Sequence, residues 1–157
     1  MGTKIDSIGV YLVDVLDGVV NTSTKGFPQL AITFNVAQKY VQTPEEMAHF
    51  QIEEPAYVDY SSFQFQDSAF FTLFGKDGEL LNYAQVQAAF GWDGVAFEDL
   101  PELTKGKRVL VRIEENEYNG KVSLRANWID AADASPNRTL KALDAAGLKA
   151  LSAKFLT

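Results

Sequence analysis

Arginines alternate with aliphatic residues along a strand-like segment near residue 110. Arg108 and Arg112 occupy one phase of this segment, and valine and isoleucine occupy the other. The following segment carries Arg125 and is joined to the first by Asn119-Gly120, a dipeptide that favours a tight hairpin. Because successive side chains of a strand point to opposite faces, the three arginines are predicted to project from one surface. Such a row of cations is suited to the phosphates of a nucleic acid.

Aromatic and basic residues also flank two predicted turns. Lys25 and Phe27 lie in or beside the turn between the first two predicted strands, and Tyr118 and Lys121 flank the Asn119-Gly120 hairpin. Proteins that hold single-stranded nucleic acid combine a cationic groove with exposed rings on which bases stack. The predicted nucleic-acid-binding residues are therefore Lys25, Phe27, Lys107, Arg108, Arg112, Tyr118, Lys121 and Arg125.

Other interpretations of these residues remain open. Each arginine could be a solvated surface charge that pairs with Glu114 or Glu117. The ring of Phe27 could fold under its loop. Trp128 continues the phase of Leu124 and is predicted to lie in the core with it.

The tract of residues 63–74 is rich in phenylalanine and could supply further stacking platforms. Phe70 and Phe74 share one phase of this tract, whereas Phe71 and Leu73 share the other. One set belongs to the core, but the alternation does not decide which.

The composition argues against most enzymes. The chain has no cysteine and a single histidine, His49, so disulfides, thiolate metal sites and paired-histidine metal motifs all lack a necessary member. Carboxylates alone can hold magnesium, which leaves a nuclease as an alternative, with Glu114, Glu115 and Glu117 as candidate ligands. Adjacent residues of a strand point to opposite faces, however, so we predict no enzymatic activity, no metal and no cofactor.

Charge is segregated along the chain, whose net charge is −7. Residues 41–104 contain twelve acidic residues and one lysine, Lys76, whereas residues 105–128 contain six basic residues and three acidic ones. The acidic stretch is expected to face away from a polyanionic ligand or to recruit a basic partner. A structural or adaptor protein that binds other proteins is the alternative that this charge supports best.

The order of predicted elements indicates an all-β fold with minor helices. Two strands, an insertion, a third strand, a short helix and two further strands precede a terminal helix. A five-stranded barrel with a helix between strands 3 and 4 is the oligonucleotide-binding (OB) arrangement. We predict an OB-fold domain over residues 1–130, with an acidic insertion between strands 2 and 3 at residues 41–67. A C-terminal helical extension is predicted over residues 131–157.

Three segments resemble the OB-fold single-stranded DNA-binding proteins of bacteriophages: NTSTKGFPQLAITFNV, ELLNYAQVQAAFGWDG and VRIEENEYNGKVSLRANWI. The resemblance implies that the chain protects or organises single-stranded DNA during phage replication or recombination, in the cytoplasm of the host cell. It also implies replication or recombination proteins as further partners. Such proteins often recruit them through an acidic tail, whereas this sequence ends in LKALSAKFLT, so we expect either that the tail is absent or that recruitment uses another surface. No apolar run of membrane-spanning length is present, so no membrane association is expected.

Overall fold

The computed structural model describes residues 3–22, 26–73 and 82–136. The strands of this part are β1 (Gly9–Thr22), β2 (Pro28–Val41), β3 (Ala56–Asp59), β4 (Gln66–Thr72), β5 (Arg108–Tyr118) and β6 (Lys121–Ala131). The helices are α1 (Pro44–Phe50), α2 (Tyr83–Phe90) and α3 (Leu100–Thr104), with 3₁₀ turns at Ser61–Phe63 and Phe97–Asp99. None of the helices within these ranges is long and apolar enough to cross a membrane.

The strands form one antiparallel sheet in the order β3-β2-β1-β5-β6, and β4 also pairs with β2. β2 therefore has two partners on the same side: residues 29–35 pair with β4, and residues 38–41 pair with β3. Within the described ranges no ladder joins β4 to β6. The predicted mostly-β class with minor helices is confirmed. The sheet has six described strands where five were predicted, because the insertion contributes β3, and hydrogen bonds do not close it.

The local predictions fare differently along the chain. The short helix after β4 is confirmed, and it ends at Gly91 in the left-handed conformation (φ 65°). The hairpin is confirmed as well, because Asn119 and Gly120 have φ of 52° and 79° and join the antiparallel strands β5 and β6. The predicted C-terminal helix falls almost entirely on residues 137–157, which lie outside the described ranges.

The main core lies on one side of this sheet, where apolar residues of β1, β2, β4, β5 and β6 meet. Apolar residues at every second position of the sequence over residues 30–36 predict one buried face of β2, and this is confirmed, since Leu30, Ile32, Phe34 and Val36 are all buried. Further members come from β1, β4, β5 and α2, and include Val13, Val15, Phe71, Val86, Phe90, Val109, Val111 and Ile113. We call the opposite side of the sheet the outer face.

Three bulges reverse the alternation within strands. Each bulge leaves one residue without a partner in the neighbouring strand. These residues are Leu16 and Ala37 in the pairing of β1 with β2, and Asn127 in the pairing of β5 with β6. An extra residue shifts every following side chain to the other face of the sheet. Trp128 consequently pairs with Arg112 on the outer face, while Ala126 pairs with Ile113 on the core side. The prediction that Trp128 shares the face of Leu124 is therefore wrong.

The bulge at Ala37 also sends a lysine inward. Lys39 is 2% exposed and packs 5.3 Å from the centre of the Tyr11 ring. Its ammonium donates to Glu46 Oε2 at 2.6 Å and to Ser7 Oγ at 3.1 Å. Glu46 belongs to α1, whose first turn is capped by the Thr43 hydroxyl: it accepts from the backbone N–H of Glu46 at 3.3 Å and donates to Glu46 Oε1 at 3.2 Å. The ion pair thus ties the insertion helix to the interior of the sheet.

Two tyrosines, the buried Tyr11 and the half-buried Tyr57, are expected to make the protein sensitive to alkaline pH. Burial raises the pKa of Tyr11 to about 12 and that of Tyr57 to about 12. The folded state holds these protons more tightly than the unfolded state. The free energy of unfolding that the two tyrosines contribute is therefore expected to be fully present below pH 10. It should fall as pH rises from about 10 towards 12. Urea unfolding at pH 9, 10 and 11 checks this, and a stability that does not fall over that range would contradict it.

Candidate nucleic-acid interface

The strand register places the three predicted arginines on the outer face, but in different environments. Arg108 lies opposite Asp14, and its Nε and Nη2 donate to the two carboxylate oxygens at 2.7 and 3.1 Å. These hydrogen bonds raise the pKa of the Arg108 guanidinium. Arg112 is half-buried, with its guanidinium 4.5 Å from the centre of the Trp128 ring. Part of the charge of both residues is therefore already engaged within the fold.

Arg125 lies instead in an open cleft between β4 and β6. This cleft, which we call the Phe70 cleft, has a volume of about 520 Å³. Arg125 is exposed there and forms no ion pair among the described residues. The cleft is lined by Lys4, Gln29, Asp67, Ser68, Ala69, Phe70, Asn116, Leu124, Arg125, Ala126 and Asn127.

The polar groups of the Phe70 cleft are largely neutral or basic. Asn116 and Asn127 exchange two amide hydrogen bonds of 3.2 and 3.0 Å across β5 and β6, which orients both side chains. Asp67 is the acidic residue of the lining, and its carboxylate accepts from the backbone N–H groups of Ile5 and Ser68. Lys4 and Arg125 thus leave the described lining with one excess positive charge.

Phe70 is an exposed aromatic ring in this setting. Its side chain is 61% exposed, whereas that of Phe71 is fully buried. Pairing with β2 decides between the two phases, because Phe71 lies opposite the core residue Leu30 and Phe70 lies opposite Ala31. The question that the alternation left open is thereby answered for these two residues. Phe74 lies outside the described ranges.

The ring of Phe70 adjoins an uncharged strip of the outer face. On β2 the strip consists of Gln29, Ala31, Thr33 and Asn35, and their partners on β4 are Thr72, Phe70, Ser68 and Gln66. Val19 of β1 continues it opposite Ala31 and is 49% exposed. Neutral polar side chains around one exposed ring can contact bases without repelling or trapping phosphates.

The other predicted residues either do not line the Phe70 cleft or lie outside the described part. Lys107 and Lys121 are exposed, and Phe27 is half-buried immediately before β2. Tyr118 pairs with Lys121 at the hairpin end of β5 and β6. Its side chain, like the whole of Lys25, lies outside the described part.

Sequence reasoning missed several residues of the Phe70 cleft. Lys4 carries no recognisable motif, and the bridge between Thr3 and Phe65 holds its segment near β4. Asn116 and Asn127 are eleven residues apart, so only the pairing of β5 with β6 unites them. Gln29 was identifiable as part of the polar phase of β2, but not as a neighbour of Arg125.

Neither the search for metal ligands nor the comparison with known proteins assigns a role to this cleft. Within residues 3–22, 26–73 and 82–136, no group of three or more His, Asp or Glu side chains is arranged to hold a metal ion. No model of a known protein family matches this sequence, and no curated protein matches it either. The resemblance to bacteriophage single-stranded DNA-binding proteins therefore stays a prediction.

Proposed function

We propose that this protein binds single-stranded DNA through the Phe70 cleft and the adjoining strip of β2 and β4. One observation carries the proposal: a largely exposed phenylalanine shares an open cleft with Lys4 and Arg125. The ring offers a face on which an unpaired base stacks, and the two cations neutralise neighbouring phosphates. In this role the protein protects or organises single strands in replication or recombination and catalyses no reaction.

The strand order supports an OB arrangement. If β3 is assigned to the insertion, the remaining strands β1, β2, β4, β5 and β6 follow the five-strand order, with α2 between the third and the fourth. OB folds bind oligonucleotides on the face of their second and third strands. Those strands are β2 and β4 here, and they carry the uncharged strip and Phe70. Topology and side-chain chemistry therefore favour the same surface.

The charge of the protein limits how it can bind. A net charge of −7 provides little long-range attraction for a polyanion, so short-range stacking must supply much of the affinity. Each cation that neutralises one phosphate of a single strand contributes roughly 0.7 to the slope of log K against log salt. With Lys4 and Arg125 as the principal phosphate contacts, a slope of about 1.4 is expected.

The salt dependence and strand preference test this proposal together. Labelled oligothymidylate should bind more tightly than duplex of equal length, because stacking needs unpaired bases. Arg125→Ala should lower the salt slope by roughly 0.7. Arg108→Ala, which removes an arginine already paired with Asp14, should lower it less. Fluorescence anisotropy at several salt concentrations measures both quantities, and equal affinity for single strands and duplex would contradict the proposal.

A further inference from the structure

A second polar cleft lies on the outer face where β2 changes its partner from β4 to β3. It has a volume of about 700 Å³, and we call it the amide cleft. The segment between β3 and β4 forms its wall and is held to β2 by backbone hydrogen bonds from Tyr60 N to Ala37 O (3.0 Å) and from Val36 N to Phe65 O (2.9 Å). Its polar side chains include Asn35, Gln38, Asp59, Ser61 and Gln64.

The charges around the amide cleft disfavour a phosphate. Arg108 lies at its margin but pairs with Asp14 through two hydrogen bonds. The backbone N–H and hydroxyl of Ser61 donate to Asp59 Oδ1 at 2.8 and 2.7 Å, and these bonds lower the pKa of the Asp59 carboxyl. Asp59 thus remains an ionised acceptor with further lone pairs to offer. A neutral group with a strong donor suits the cleft better than an anion.

The amide cleft lies on the path of a strand that stacks on Phe70. Asn35 is on the same face of β2 as Ala31, the residue opposite Phe70, and is four residues further along the strand. At roughly 3.3 Å per residue the two positions are about 13 Å apart. The intervening outer position, Thr33, is neutral and belongs to the uncharged strip. Nothing charged on β2 separates the two clefts.

We propose that the amide cleft binds an unpaired base that carries an exocyclic amino group beside an acceptor nitrogen, as adenine and cytosine do. This inference rests on the proposed binding of single-stranded DNA. The Asp59 carboxylate and the amide oxygens accept from the amino group, and an amide N–H of Asn35 or Gln64 donates to the ring nitrogen. Asn and Gln recognise adenine, and Asp recognises the cytosine amino group, by such bonds. Thymine has no amino group and binds less well.

Competition between oligonucleotides tests this preference. The probe is an oligothymidylate, and the competitors are the same oligothymidylate and oligomers of equal length with adenine or cytosine at every third position. The unaltered protein should bind the substituted oligomers about fivefold more tightly or better. Gln64→Ala and Asp59→Asn, which alter residues of the amide cleft outside the uncharged strip, should abolish this difference and still bind oligothymidylate. Glu53→Gln, which removes the same charge from an exposed residue of the insertion, should preserve it.

The outcomes separate this inference from the proposed function. If the unaltered protein binds single strands but does not distinguish the oligomers, the amide cleft does not read bases and the inference fails alone. A preference that persists in both Gln64→Ala and Asp59→Asn also overturns it. If the unaltered protein binds none of the oligomers, the proposed function fails, and the inference that rests on it fails as well.

Discussion

Replacing Phe70 by alanine is expected to weaken the binding of single-stranded DNA by about 1–3 kcal/mol, which is roughly 5- to 150-fold in Kd. The ring is 61% exposed and lies beside Arg125 in the Phe70 cleft, so its removal takes away a stacking surface and leaves both cations in place. The salt slope should therefore stay nearly unchanged. Anisotropy titrations of the variant at two salt concentrations measure the affinity and the slope together.

Val95→Ala is the matched control for Phe70→Ala. Val95 follows α2, is 64% exposed and does not line the Phe70 cleft, so its truncation should leave DNA binding unaltered. Because Phe70 buries little surface, its variant should also unfold at nearly the same urea concentration as the unaltered protein. Wild-type affinity in Phe70→Ala would show that bases do not stack on this ring, and binding would then have to be sought elsewhere on the molecule.

Removing Glu46 is expected to destabilise the protein far more than breaking the exposed ion pair between Lys105 and Glu102. In Glu46→Ala the buried ammonium of Lys39 keeps Ser7 as a hydrogen-bond partner but loses its counter-charge at 2.6 Å. Leaving one member of a buried ion pair alone costs about 3–5 kcal/mol, and the partial exposure of Glu46 favours the lower end. At about 3 kcal/mol, Tm should fall by roughly 6–12 °C. Thermal and urea unfolding measure this loss.

Lys39→Met distinguishes the destabilisation caused by an unpaired buried charge from that caused by lost packing. Methionine keeps most of the buried chain and removes the ammonium together with its desolvation cost, and Glu46 can then face solvent and Thr43. We expect Lys39→Met to be clearly more stable than Glu46→Ala. Glu102→Ala, which breaks the exposed pair with Lys105, should change stability little. If Lys39→Met proves as unstable as Glu46→Ala, the packing of the lysine chain and not its charge accounts for the effect.

The bulges explain where prediction of the fold succeeded and where it failed. Strand periodicity holds as far as the first unpaired residue, so it assigns Leu30, Ile32, Phe34 and Val36 to the core correctly. Beyond Ala37 and Asn127 the same rule gives the opposite face for Lys39 and Trp128. A bulge needs only one extra residue with an unremarkable side chain, and its position depends on pairing with a neighbouring strand.

Prediction of the candidate site from the sequence was limited in the same way. Arg125 was recognised because it alternates with apolar neighbours, and the cationic character of that segment is local information. Lys4 lies in the same cleft but is more than 110 residues from Arg125 in the chain. Arg108 pairs with Asp14 because of the register of β1 against β5. Arg108 is therefore a poorer candidate for a phosphate contact than Arg125, although both follow the same sequence pattern.

The sequence alone determined the class of most elements and the polar and apolar phases of β2. It also determined the hairpin at Asn119-Gly120 and the helix that ends at Gly91. Each of these features depends on nearest-neighbour geometry and side-chain chemistry. The tertiary structure decided which phenylalanine of the pair at 70 and 71 faces solvent, since only the register of β4 against the buried Leu30 distinguishes them. It also placed Lys39 inside and Arg125 beside Phe70. Long-range pairing sets these positions, and no local pattern encodes a register that two distant segments define together.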